Sequence, residues 1–103
     1  MTKSREIKNY YFIEIDLNKG PADPVNFYED FRVDVGEAGS DSVTNYSFFV
    51  CTPKGIEDTM KELKADYLME RNLLIVPRFD MELVLHAIRE RIDKLADYGL
   101  DVS

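Results

Sequence analysis

The 103-residue sequence has one cysteine, Cys51, one histidine, His86, and no tryptophan. A single cysteine excludes an internal disulfide and a Cys-x-x-Cys metal or redox site. The His-x-x-x-His and EF-hand spacings that supply other metal sites are also missing. No apolar run is long enough to cross a membrane, and the basic start Met1–Lys8 has no apolar stretch behind it to form a signal peptide. We therefore expect a cytoplasmic protein without a cofactor, a metal ion or a membrane contact.

The residue types that usually carry catalysis do not assemble into a recognisable site. His86 falls beside the apolar stripe of the last predicted helix, among charged neighbours, which is typical of a surface histidine. Cys51 lies in a predicted core strand with no adjacent Lys, Arg or His to lower the pKa of its thiol, so packing is its expected role. Glu29 and Asp30 are sequence neighbours, and their side chains diverge on a strand. The sequence predicts a binding protein and not an enzyme.

Acidic residues outnumber basic residues by 20 to 13, which gives a formal net charge of −7. This balance argues against binding to nucleic acid phosphates and favours a basic partner. The acids concentrate in two stretches: residues 18–41 hold six acids and two bases, and residues 80–101 hold six acids and three bases. Solubility is the ordinary alternative explanation for any single one of these acids.

Alternating apolar and polar residues predict a first strand over Ile7–Leu17, after a frayed start, and a second strand over Phe27–Val35. The segment Asn18–Pro24 is rich in turn residues and predicts a loop between these strands. The glycine-containing segment Gly36–Ser42 is typical of a connection between antiparallel neighbours.

A third strand over Tyr46–Cys51 leads directly into a helix. Thr52 is a residue type that caps helices, and Pro53 suits the first helical position because its missing N–H is not needed there. The spacing of Ile56, Met60 and Leu63 predicts one packing face for this helix.

The remaining chain predicts a short buried strand over Leu73–Val76 and a long last helix that begins after Asp80 and reaches Gly99. The resulting order is β-β-β-α-β-α. This order predicts a single α+β domain over residues 1–103, with an antiparallel or mixed sheet of about four strands and two helices packed on one face.

The segment Phe31–Pro53, FRVDVGEAGSDSVTNYSFFVCTP, resembles the immunity protein 8 family of bacterial polymorphic toxin and contact-dependent growth inhibition systems. The resemblance continues through Leu73–Asp80, LLIVPRFD, and the amphipathic helix that follows. In that family a glycine-containing hairpin leads to an aromatic-rich strand that ends in Cys/Ser/Thr-Pro, and then to a helix, an apolar strand and a last helix. The resemblance implies a protein that binds a cognate toxin domain, expected to be a basic nuclease, and inactivates it by stoichiometric occlusion.

Under this interpretation, the toxin-binding candidates are the acids of the second strand and its hairpin, with two tyrosines as aromatic anchors. These residues are Glu29, Asp30, Asp34, Glu37, Asp41, Tyr10 and Tyr28. The competing surface is the last helix, which carries Glu82, Glu90, Asp93 and Asp97. The alternative function is a small acidic binding or regulatory module unrelated to toxins, which self-associates through an exposed sheet edge.

Overall fold

A computed structural model of the chain describes residues 4–103, and residues 1–3, where the predicted frayed start falls, lie outside the described part. The strands are β1 (Arg5–Phe12), β2 (Tyr28–Glu37), β3 (Thr44–Cys51), β4 (Leu73–Ile75) and β5 (Leu100–Asp101). The helices are α1 (Pro53–Leu63) and α2 (Met81–Glu90), and a 3₁₀ segment spans Ile92–Asp97. The α+β class and the order β-β-β-α-β-α are confirmed, with the 3₁₀ segment and β5 added after them.

The strands form one mixed sheet in the order β1-β2-β3-β4. β2 is antiparallel to both of its neighbours, β1 and β3. The other edge of β3 is shared, because β4 runs parallel to Phe49–Cys51 while β5 runs antiparallel to Tyr46 and Ser47. The α1 crossover therefore joins two parallel neighbours, and β5 completes the edge that β4 leaves open.

One face of the sheet, here called the core face, carries most of the apolar core. Phe31 pairs with Phe48 and Val33 pairs with Tyr46 across β2 and β3, and all four side chains are buried. The cluster on this side also includes Phe12, Val35 and Val50 from the strands, Val84, Leu85 and Ile88 from α2, and Leu95 from the 3₁₀ segment. Because side chains alternate along a strand, Arg32 and its neighbours two residues away point to the opposite side, here called the outer face.

α1 begins at a capped corner, as its sequence predicts. The Thr52 hydroxyl oxygen accepts hydrogen bonds from the backbone N–H groups of Gly55 at 3.1 Å and Phe27 at 3.2 Å. Gly55 is the one fully buried residue of α1, and a Cβ atom there would lie 1.9 Å from the Phe27 carbonyl oxygen. The helix therefore meets the sheet through a close backbone contact that only glycine permits.

The predicted packing face of α1 is only partly used. Ile56 and Met60 are half-buried, but Leu63 is 66% exposed. The prediction that Leu63 packs is wrong, because Leu63 is the last residue of the helix and its side chain stays mostly exposed.

β1 ends at Phe12, short of the predicted end at Leu17. Asp16 forms a turn in this region, because its carboxylate accepts a hydrogen bond from the backbone N–H of Asn18 at 2.8 Å. Ile15 and Leu17 still pack against the core cluster. The alternation thus predicted burial only in part, because Tyr11 and Ile13 on the predicted apolar side are exposed while Phe12 is buried.

The prediction of one continuous last helix is also wrong. α2 stops before Arg91, whose backbone angles (φ −117°, ψ 18°) are not helical. Two arginine side chains donate to carbonyl groups beyond this break, Arg5 to Ile92 at 3.3 Å and Arg71 to Gly99 at 2.7 Å. The Arg5 hydrogen bond satisfies the Ile92 carbonyl, which a continuous helix would use internally, whereas the Gly99 carbonyl lies past the predicted helix end.

Candidate interaction surface

The predicted site residues of β2 are divided between the two faces of the sheet by the alternation of the strand. Tyr28, Asp30 and Asp34 lie on the outer face, in register with Cys51, Phe49 and Asn45 of β3. Glu29 and Glu37 alternate with them and lie at the two ends of β2, where Glu29 is half-buried and Glu37 is exposed. The acids therefore do not form one continuous row.

Asp30 belongs to a hydrogen-bonded cluster on the outer face. Its carboxylate accepts two hydrogen bonds from the Arg32 guanidinium, at 2.9 Å and 3.0 Å, and one from the Ser47 hydroxyl at 2.8 Å. Burial alone raises the pKa of Asp30, but the hydrogen bonds from Arg32 and Ser47 outweigh it and hold the pKa below its ordinary value. The charge of Asp30 is thus balanced by Arg32 within the protein. A partner would therefore meet a fixed set of polar groups here and little net negative charge.

Asp34 continues the outer face beyond this cluster. Its carboxylate accepts a hydrogen bond from the side-chain amide of Asn45 at 2.7 Å. Because Asn45 is neutral, this contact orients the carboxylate without cancelling its charge.

Tyr28 begins the same row at the opposite end of β2. Its ring stacks on the ring of Phe49, with centroids 5.2 Å apart. Burial raises the pKa of the Tyr28 hydroxyl, and the nearby Cys51 and Glu70 add to the effect. Glu70 belongs to the connection between α1 and β4, two residues before Asn72, whose carbonyl accepts a hydrogen bond from the backbone N–H of Phe49 at 2.9 Å.

Glu29 lines an acidic cleft between the start of β2 and α1. The cleft has a volume of about 310 Å³, and its other acidic residues are Asp58 and Glu62. Burial, followed by repulsion from Glu14, raises the pKa of Glu29. Asp58 lies 3.8 Å from Lys54, whereas neither Glu29 nor Glu62 forms an ion pair with any residue in the range 4–103. This cleft holds uncompensated negative charge.

Glu37 and Asp41 lie at the other end of β2. Glu37 follows Glu29 by eight positions, a distance of about 26 Å along an extended strand. Gly36 is buried at the base of this hairpin, where a Cβ atom would lie 2.3 Å from the Ser42 carbonyl oxygen. Glu29 and the pair Glu37 and Asp41 therefore lie at opposite ends of β2, with Asp30 and Asp34 on the outer face between them.

Tyr10, the second predicted aromatic anchor, lies on the edge strand β1. It pairs with Val33, and its ring centroid is 6.2 Å from that of Phe31. The ring borders the core but remains partly exposed at the sheet edge. Its partner Val33 lies five residues from Tyr28 along β2, so the two tyrosines do not form one anchor.

In the competing acidic surface on α2 and the 3₁₀ segment, Glu90 has ion-pair partners, whereas Glu82, Asp93 and Asp97 form no ion pair within residues 4–103. Glu90 lies 3.1 Å from the imidazole of His86 and 3.8 Å from the guanidinium of Arg91. Glu82 lies in the first turn of α2, where a carboxylate complements the helix dipole. These contacts give the acids of α2 a role in the helix itself.

Sequence reasoning missed an exposed apolar segment between α1 and β4. Leu63, Tyr67 and Met69 are 66%, 72% and 82% exposed, the largest values among the big apolar side chains of residues 4–103. The available signal was the run Tyr67–Met69, three apolar residues flanked by acids in a stretch without clear helical or strand periodicity. Such a run is compatible with the end of a helix and equally with exposed side chains that bind a partner.

Metal binding and thiol chemistry both depend on side chains that the structure places within residues 4–103. Within residues 4–103, no three His, Cys, Asp or Glu side chains lie where they could hold a metal ion. Cys51 is fully buried, and burial raises the pKa of its thiol to about 11, so the thiol stays protonated at neutral pH. In the same range, none of the helices has the length and apolar character needed to cross a bilayer.

The fold and these surfaces define a small α+β interaction protein. The sequence model of the family described as Immunity protein 8 matches residues 5–99. The chain therefore belongs to the immunity protein 8 family, and its role is that of an immunity protein whose partner is a cognate toxin. No curated protein and no solved structure matches the chain.

Proposed function

We propose that this protein acts in the bacterial cytoplasm, within a polymorphic toxin or contact-dependent growth inhibition system, where it neutralises one cognate toxin domain. It binds the folded toxin stoichiometrically and occludes its active surface without chemical change to either protein. The observation that carries this proposal is the family match over residues 5–99, which includes every described strand and helix except β5.

The charge distribution supports a basic partner, and a nuclease as the toxin class. The net charge is −7, and the cleft of Glu29 and Glu62 contains carboxylates without ion-pair partners in the described chain. A nuclease binds phosphate groups through basic side chains, so acidic side chains of an inhibitor fit the same groove. Opposite charges also accelerate encounter between the two proteins.

Within this proposal, the acids of β2 and its hairpin contact the toxin in different ways. Asp34, Glu37 and Asp41 supply charge that steers the toxin, whereas Asp30 is already bonded to Arg32 and supplies a fixed polar contact. Glu29 and the two tyrosines, Tyr28 and Tyr10, complete the proposed contact set.

The test is co-expression with the C-terminal domain encoded by the gene immediately upstream, here called the upstream toxin domain. The proposal expects restored growth and a complex with one copy of each chain after purification. A toxin domain from an unrelated system serves as the specificity control and should remain lethal. Continued growth arrest with both proteins folded and expressed, and no complex, would contradict the proposed function.

Charge reversal distinguishes the two acidic surfaces. Glu37→Lys with Asp41→Lys should weaken toxin binding about tenfold, mainly by slowing association. The matched control is Glu82→Lys with Asp93→Lys on the competing surface, which should leave the dissociation constant nearly unchanged. If only the control pair weakens binding, α2 and the 3₁₀ segment are the contact surface instead.

A further inference from the structure

The connection between α1 and β4 presents apolar side chains to solvent in a fixed position. Leu63 ends α1, and Tyr67 and Met69 follow within six residues, all more than 60% exposed. Exposed tyrosine and methionine side chains are enriched where proteins bind other proteins. A scattered exposed apolar residue needs no explanation, but three in one short segment do.

Both ends of this segment are anchored by hydrogen bonds. At its start, Lys64 adopts the left-handed conformation (φ 54°, ψ 40°), and the N–H of Ala65 bonds to the carbonyl of Met60 at 2.9 Å. At its end, the Arg71 guanidinium donates to the carbonyl groups of Ala96 and Gly99. The segment is thus capped onto α1 at its start and bonded to Ala96 and Gly99 at its end, which lowers the entropy cost of binding through it.

The surroundings of the exposed apolar residues are acidic. Residues 57–70 contain five acids and two lysines, a net charge of −3. The two lysines do not neutralise the segment, because Lys61 bonds to Glu57 at 3.0 Å while Glu62, Asp66 and Glu70 form no ion pair within residues 4–103. The segment ends beside β3, where the carbonyl of Asn72 accepts a hydrogen bond from the backbone N–H of Phe49 at 2.9 Å. The ring of Phe49 stacks on that of Tyr28 at the start of β2.

We propose that Leu63, Tyr67 and Met69 form the principal anchor for the toxin, which inserts them into an apolar recess rimmed by Lys and Arg side chains. This inference rests on the proposed function and assigns the centre of the interface to the α1–β4 connection. Glu37 and Asp41, at the far end of β2, then act through long-range attraction, which affects association more than dissociation.

The test uses the full-length protein and the upstream toxin domain, with the dissociation constant and both rate constants measured by surface plasmon resonance. The variant Tyr67→Ser with Met69→Ser should bind about 100-fold more weakly, mainly through faster dissociation. The control variant Ile13→Ser with Val25→Ser removes two other exposed apolar side chains and should stay within about threefold of the wild type. Circular dichroism should show both variants folded, because all four side chains are at least half exposed.

The outcomes separate this inference from the function on which it rests. If the wild-type protein binds the toxin and the Tyr67/Met69 variant binds it with the same dissociation constant, the proposed anchor is overturned. The immunity function would then still stand. Absence of wild-type binding would overturn both. A conservative variant, Tyr67→Phe with Met69→Leu, should retain binding, and equal loss in this variant would contradict an apolar anchor.

Discussion

α1 and α2 have similar lengths and similar capped starts, yet they bury different amounts of side chain. α1 has 11 residues and α2 has 10, and the caps Thr52 and Asp80 each accept a backbone N–H from three residues ahead. α2 places three apolar side chains in the core, whereas α1 fully buries only Gly55. An amphipathic pattern thus shows which side of a helix is apolar but not how much of it packs. We infer that α2 stabilises the fold, while α1 and its connection are available to a partner.

The largest expected effect is at Gly55, where the backbone of α1 lies close to the backbone of Phe27. Gly55→Ala should lower the free energy of unfolding by about 4 kcal/mol or more, because its Cβ atom would overlap the backbone of Phe27. Urea denaturation followed by circular dichroism measures this loss. The control is Gly39→Ala, which meets no atom within 4 Å and should cost about 1 kcal/mol for its positive φ of 81°. Equal losses of stability in the two variants would show that the close backbone contact at Gly55 does not exclude a side chain.

The next effect compares isoleucines on the two helices. Ile88→Ala should cost about 3 kcal/mol, because it leaves a cavity in the core beneath α2. Ile56→Ala on α1 should cost only about 1 kcal/mol, since this side chain is half-buried. Chemical denaturation of both variants measures the difference. A larger loss for the α1 variant would reverse the roles assigned to the two helices.

The helix caps give a smaller contrast, in which the larger loss of stability is expected at the cap of α1. Thr52→Val should cost about 2 kcal/mol, because it removes the acceptor of two buried N–H groups, from Phe27 and Gly55. Asp80→Ala should cost about 1 kcal/mol, because the N–H of Leu83 can bond to water instead. Thermal unfolding of the two variants provides the comparison, and a smaller loss at Thr52 would contradict its double role.

The smallest effect concerns the acidic cleft beside α1. The pKa of Glu29 is raised by burial and by Glu14, so the folded state holds this proton more tightly than the unfolded state does. The free energy of unfolding therefore falls as pH rises from the ordinary pKa of glutamate through the raised pKa of Glu29. At pH 7 this loss of stability is complete. Glu29→Gln should stabilise the protein at pH 7 by less than about 0.5 kcal/mol, since solvent screens a partly exposed group.

Melting temperatures across pH 3–8 test this sign. The advantage of Glu29→Gln should vanish below the ordinary range of glutamate pKa values, where the wild-type carboxyl is also protonated. The control is Glu57→Gln, which loses an exposed ion pair with Lys61 and should not gain stability at pH 7. A pH-independent difference between Glu29→Gln and the wild type would contradict an ionisation effect.

The features that were predicted from the sequence depend on neighbouring residues. The Thr52-Pro53 corner is one such feature, because capping and the fixed φ of proline act within one turn. β5 is not such a feature, because Leu100 and Asp101 form a strand only by pairing with Tyr46 and Ser47, which are distant in sequence. The break in the last helix likewise involves Arg5 and Arg71, which are remote in sequence.

The candidate site shows the same limit. Acid clustering identified β2 correctly as a charged strand, but it did not show that Asp30 is bonded to Arg32 and Ser47. Pairing with Ser47 depends on the register between β2 and β3, which composition does not reveal. The exposure of Tyr67 and Met69 was missed because apolar residues are expected to pack, and only the folded chain shows that these do not.

Hydrogen–deuterium exchange of the protein, alone and bound to the upstream toxin domain, tests most directly whether the α1 side is the binding surface. The account predicts that toxin binding slows exchange most in residues 63–70 and at the start of β2, with little change on the exposed side of α2. Slower exchange confined to α2 and the 3₁₀ segment, with residues 63–70 unchanged, would contradict it.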